Sequence, residues 1–193
     1  MLPWKIFVET VAVLCYNRRW GDGVIIRQEQ SSDYNEVYQL VKMSFATTPD
    51  DDGTTQDYLS ELRTKDVFIP ELSLVAESDE GTLVGQVVLY KTTITTPQRK
   101  LTELLLSPIC VHPDYFGRGI ARAMVEEALR IARNIGYRAV FLCGDPEIYS
   151  KMGFVATYRY NIFHKDEETA EWSMVRELHK GALDGISGTI NTI

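Results

Sequence analysis

Cysteine is scarce in this chain: Cys15, Cys110 and Cys143 are the only three, odd in number and without a C-x-x-C spacing. That excludes a disulfide framework and offers no zinc-ligand pattern, so no metal is expected. Histidine is as rare, at 112, 164 and 179, and no motif pairs one with a cysteine as base and nucleophile. Basic residues number 20 against 27 acidic ones, a net charge of −7 that argues against nucleic-acid binding. Long apolar runs are missing too. The most apolar stretch, Leu2 to Cys15, is broken by Lys5 and Glu9 and is too short to span a bilayer. A secretory leader does not fit either, because Arg18-Arg19 follows that run instead of preceding it. There is no Gly-x4-Gly-Lys-Ser/Thr, and a dinucleotide fingerprint counted from Gly117 and Gly119 needs Gly or Ala where Arg122 stands.

What is present suits one globular domain in 193 residues, 45% hydrophobic and 24% charged. Residues 1–22 stand apart as an N-terminal extension, for which an extra strand, an interaction arm and an upstream start codon all stay open. Residues 23–183 form the domain and 184–193 a tail. Val24 to Arg27 is a strand. Ser31-Ser32-Asp33 then opens a helix in which Asp33 and Glu36 take a capping-box spacing, with Tyr34, Val37, Tyr38, Val41 and Phe45 as its apolar stripe. Asp50-Asp51-Asp52 lies in a polar loop, read as a solvated run, and Gln56 to Arg63 is a second helix. Leu72 to Ala76 and Leu83 to Tyr90 form a hairpin around Asp79-Glu80-Gly81.

The centre of the chain is strand, helix, strand. Leu104 to Val111 is nearly all apolar, as befits a strand covered on both faces, and Pro108 predicts a bulge or a lost pairing. The helix from about Arg118 to Ile135 carries Ile120, Met124, Ala128, Ile131 and Ile135 on one stripe. Glu126 and Arg130 form an i,i+4 pair on its outer face, and Gly136 follows as C′. Ala139 to Cys143 is the next strand, and Cys110 and Cys143 are expected as buried structural thiols. Val155 to Phe163 and Glu171 to Leu178 are expected to pair antiparallel after a short helix around Tyr149.

Ile109 to Ala121 holds the densest chemistry. A strand feeding Gly117 and Gly119 into a helix start gathers unpaired N–H groups and the positive end of the helix dipole, a site for an anion. His112 in the intervening loop is read as a local hydrogen-bonder. With Tyr149-Ser150-Lys151-Met152-Gly153-Phe154 thirty residues on, the chain resembles the GNAT superfamily of acyl-CoA-dependent N-acyltransferases. The likeness runs from about Gly23 to Leu183. It extends to a branch of bacterial acetyltransferases through Gly144-Asp145-Pro146 and Leu178 to Gly185. The family signature Gln/Arg-x-x-Gly-x-Gly/Ala falls on Phe116, Gly119 and Ala121. Gly119 and Ala121 match, whereas Phe116 stands where a polar residue is usual.

The resemblance implies an α/β (α+β) fold, a mixed, mostly antiparallel sheet with helices on both faces and a central strand–helix–strand unit that binds coenzyme A. It implies acetyl transfer from acetyl-CoA, the cosubstrate, to a primary amine by direct attack. Tyr149 falls on the general acid. Ile109, Cys110, Val111, Phe116, Gly117, Arg118, Gly119 and Ala121 fall on the cosubstrate site. For the base, Glu103, Asp145 and a relayed water stay open. The partner expected is a small-molecule or peptide amine, without nucleic acid or membrane, in the cytoplasm, and a homodimer is left open. A non-catalytic acyl-CoA sensor of the same fold is the alternative, and Phe116 is the residue that favours it.

Overall fold

Two long strands rich in leucine, valine and threonine frame the molecule, Leu83–Thr95 (β4) and Lys100–Val111 (β5), paired antiparallel over almost their whole length. The computed structural model describes residues 18–20, 23–46 and 52–191. Around that hairpin the sheet runs from Arg18–Trp20 (β1), Val24–Gln28 (β2) and Ser73–Glu77 (β3) through β4 and β5 to Ala139–Cys143 (β6). Beyond β6 come Ser173–Glu177 (β9) and Val155–Ala156 (β7). Two further strands, Ile162–His164 (β8) and Gly188–Ile190 (β10), join through β10, which pairs with β4. The contacts are antiparallel except β5 with β6 and β8 with β10, so the sheet is mixed and mostly antiparallel, as expected.

Tyr34–Phe45 (α1) and Thr55–Leu62 (α2) cover one face, burying Val37, Leu40, Val41, Leu59 and Leu62 against Val75, Val88 and Cys110. Ile120–Asn134 (α3) covers the other, with Met124, Val125, Ala128 and Ala132 packed on Leu74, Val87, Leu104 and Val140. The period-2 alternation of β4 explains the split, with Val87 and Leu89 on the α3 face and Val88 on the α1 face. Pro108 disturbs the ladder as anticipated. The register shifts between Val87 and Leu89, opposite Ser107-Pro108, because proline has no N–H to donate.

Several local expectations are corrected. Asp33 does not cap α1 through its side chain. Its carboxylate is held by Arg27 and the Gln30 N–H, while Glu36 accepts from the Leu83 N–H. Tyr34 is exposed and Leu40 replaces it in the buried stripe. In α3 the exposed Ile135 gives way to Ala132. Arg130 pairs with Glu127 at i,i+3, and Glu126 instead reaches Arg176 on β9. Both spacings lie within reach on a helix, and the tertiary partner decides between them. β9 pairs with β7 and β6, whereas β8 leaves for β10, a strand inside the stretch read as a tail. Arg18–Trp20, within the N-terminal extension, forms the edge strand β1; residues 1–17 lie outside the described residues, as do Cys15, Asp50 and Asp51.

Candidate active site

The site follows from where β5 and β6 stop pairing. Their parallel contact is confined to Leu104 with Val140 and Leu105 with Phe141, yet β5 runs on to Val111 along β4 alone. A gap therefore opens between β5 and β6. The His112 N–H donates to Val84 O at 2.8 Å, and bonded and free amides alternate along an antiparallel strand. Cys110 thus turns its amide to β4, whereas Ile109 and Val111 turn theirs into the gap. The Ser44 hydroxyl, near the end of α1, donates to Val111 O at 3.3 Å.

Beyond β5 the chain makes a short turn, Pro113–Tyr115, in which His112 Nδ1 accepts from the Asp114 N–H at 3.2 Å. His112 is thus the local hydrogen-bonder expected. Gly119 then caps α3 in the left-handed region at φ 76°, a conformation that costs a residue with a Cβ. From Gly117 to Arg122 no N–H donates to a backbone carbonyl among the described residues. These six unpaired amides at the positive end of a fifteen-residue helix can serve as a cradle for an anion.

These elements wall a cavity of about 540 Å³. Of the residues singled out from the sequence, Ile109, Cys110, Val111, Phe116, Gly117, Gly119, Ala121 and Tyr149 line it. Arg118 does not. Its guanidinium bonds Asp114 O at 3.0 Å and lies 4.6 Å from the Tyr115 ring centre. Arg122, which the sequence reading used only to reject a dinucleotide motif, lines the cavity from the first turn of α3 and is exposed. Its signal was its place three residues after the capping glycine. Ser44, Phe45, Ile148 and Met152 were missed as well. Phe116 (64% exposed) and Ile148 (51%) give the rim an apolar character.

Tyr149 ends a single helical turn, Pro146–Tyr149 (α4), at the opposite wall. Its ring stands edge-on to Phe154, centres 5.9 Å apart. Burial holds its hydroxyl above the usual tyrosine range, so it stays protonated at neutral pH. Burial likewise pushes the Cys110 thiol up to about 12, which fits an inert structural cysteine. Cys143, by contrast, is exposed, a correction. It is the last residue of β6, still paired with Ser173 of β9 but exposed.

Neither acidic side chain weighed as a base reaches the cavity. Glu103 is 1% exposed and accepts from the Arg138 guanidinium and from the N–H groups of Arg138 and Ala139, tying β5 to the start of β6. Asp145 caps α4 by accepting from the Glu147 N–H at 2.8 Å. Among the described residues no carboxylate and no imidazole lines the cavity, and none of the clusters of His, Cys, Asp or Glu could hold a metal ion.

Comparison with known proteins identifies the fold and the family. The chain is 29% identical to the uncharacterised N-acetyltransferase YhbS of Escherichia coli K12 over 167 residues, 86% of this chain and 95% of YhbS. The crystal structure of YhbS in complex with CoA superposes with a TM-score of 0.77 at 27% identity, covering 90% of this chain and 92% of that one. A GNAT acetyltransferase of Brucella melitensis, solved with acetyl-CoA, shares the fold with a TM-score of 0.71 at 24% identity, over 88% and 96% of the two chains. A family model for the GNAT acetyltransferase domain matches residues 25–156, a span that includes β5, the start of α3 and Tyr149: the chain belongs to the GNAT acetyltransferase family.

Proposed function

We propose that this protein transfers an acetyl group from acetyl-CoA to a primary amine by direct attack on the thioester. One observation carries the reading: the free amides at the start of α3 and Tyr149 line one cavity beside the β5–β6 gap. The residues fit the cosubstrate. A pyrophosphate suits the amides from Gly117 to Arg122, with the Arg122 charge beside them, and an extended pantetheine arm suits a slot between two strands. The relatives solved with CoA and acetyl-CoA support the same assignment. The Ile109, Cys110 and Val111 stretch carries the pantetheine and acetyl end.

The chain's own groups then divide the work. The Val111 N–H, turned into the gap, polarises the thioester carbonyl and holds the oxyanion that forms there. The amine attacks as the neutral base. A lysine-like amine has a pKa of about 10.4, so it must shed its proton first, and with no carboxylate or imidazole at hand among the described residues that proton passes to water. As the carbon–sulfur bond breaks, Tyr149 donates its proton to the departing thiolate. The burial that raises Tyr149 keeps that proton in place up to high pH.

Thiol release from acetyl-CoA, measured over a panel of polyamines, amino acids, aminoglycosides and peptides, tests the proposal. The expected result is amine-dependent release with a matching acetylated product by mass spectrometry. Tight acetyl-CoA binding without turnover on any amine would replace it with the sensor reading that Phe116 favours.

A further inference from the structure

Arg176 lies on β9, outside the cavity, yet it grips both walls. Its guanidinium takes the two carboxylate oxygens of Glu126 at 2.6 and 3.2 Å and donates to Met152 O at 2.7 Å. Glu126 belongs to α3, whose first turn forms the cradle. Met152, which lines the same cavity, ends the 3-10 turn Ser150–Met152 that continues directly from Tyr149. The Met152 carbonyl is one of the orphaned acceptors at the end of a helical turn, and the guanidinium supplies its partner. Gly153 then reverses the chain at φ 78°, and the Phe154 N–H returns to Tyr149 O at 3.1 Å. The tyrosine's turn is thus closed on itself and pinned to α3 from behind. A planar fork can hold a carboxylate and a carbonyl at once, which an ammonium on a flexible stem does not reproduce.

We infer that Arg176 is a positioning residue for acetyl transfer: by holding the Met152 turn against α3, it sets where the Tyr149 hydroxyl stands relative to the cradle. An ion pair this accessible adds little stability by itself, so the functional consequence lies in geometry. The inference rests on the assignment of Tyr149 as proton donor. A displacement of about 1 Å in a reacting group can cost roughly a hundredfold in rate.

A double-mutant cycle in kcat tests it. Arg176→Gln lowers kcat by roughly 10–100-fold, with a smaller change in KM for acetyl-CoA. Tyr149→Phe lowers kcat on its own. The double variant is no slower than Tyr149→Phe, because the group that Arg176 positions is already gone. Arg176→Lys keeps the charge but loses the fork, and it recovers part of the rate at most. Should Arg176→Gln fail to fold, Glu126→Gln, which keeps the bond to Met152, enters the cycle in its place with a smaller loss that also vanishes beside Tyr149→Phe. Losses that multiply in the double variant, or an Arg176→Gln enzyme with unchanged kcat, overturn the inference and leave the proposed function standing. Absence of thiol release in the unmodified protein overturns the proposed function itself.

Discussion

Gly144 lies against the ring of Tyr149, so close that a Cβ built at 144 would fall far inside van der Waals contact with the ring edge. The absent side chain at the exit of β6 is what lets the ring fold back over the strand, with Phe154 on its other side. Gly144→Ala should therefore push Tyr149 out of place while sparing the cradle. Turnover is expected to fall with acetyl-CoA affinity little changed. Tyr149→Phe removes the hydroxyl alone and should cut kcat by roughly 10²–10⁴ at preserved thermal stability. It should also abolish the high-pH limb of the rate profile, which ionisation of the raised Tyr149 imposes on the wild type above its ordinary value. A rate–pH profile beside a melting curve for each variant checks both.

Gly119→Glu places bulk and like charge at the cradle. A Cβ at 119 meets nothing within 4 Å, so no clash arises, but φ of 76° strains any side chain by roughly 1–2 kcal/mol. Gly119→Ala shares the strain without the charge. Calorimetry should show acetyl-CoA binding weakened roughly a hundredfold by Glu, about 2.8 kcal/mol, and far less by Ala. Equal losses in the two would locate the effect in the backbone.

Arg122 and Arg118 make a matched pair, four residues apart. Arg122→Ala should raise the dissociation constant for acetyl-CoA about tenfold, at the low end for a charge-assisted bond, and flatten its salt dependence. Arg118→Ala should change affinity little, because its guanidinium is spent on Asp114 O and the Tyr115 ring. Titrations at two ionic strengths separate them.

Glu103→Gln should cost stability and leave chemistry alone. Its carboxylate answers the Arg138 guanidinium and two N–H groups at the start of β6, and replacing it is expected to cost about 1–3 kcal/mol. Denaturant unfolding should show the loss, while kcat of the folded fraction holds. A folded variant with kcat down a hundredfold would return Glu103 to the list of bases.

The two described thiols should differ sharply. In a Cys15→Ala background a thiol reagent should label Cys143 quickly and Cys110 only on unfolding. Burial raises Cys110 from about 9 to about 12, so its neutral form is favoured in the folded protein. The stability this adds is intact below pH 9 and is lost as pH rises from 9 toward 12, where the unfolded thiol ionises first. Denaturation curves across that range should show a steeper drop in the wild type than in Cys110→Ala.

Much of the site was legible because it is written locally. The apolar run ending at Val111, the glycines at 117 and 119, and Tyr149 four residues before Gly153 are patterns within a few residues of one another. Backbone conformation answers to such neighbours through hydrogen bonding and sterics. Strand β6 matched residue for residue, and the disturbance at Pro108 followed from a missing donor.

The sequence by itself determined the strand–helix–strand unit, the glycine-flanked open backbone at the start of α3 and the family resemblance. Tertiary structure alone decided which charged groups are spent. Glu103 is consumed by Arg138, thirty-five residues away, and Glu126 by Arg176, fifty residues on, while Arg122 stays at the cavity. It also decided that Ser44 meets Val111 and that β10 closes on β4 and β8. A long charged side chain has several partners within reach, and only the packed sheet fixes which one it meets.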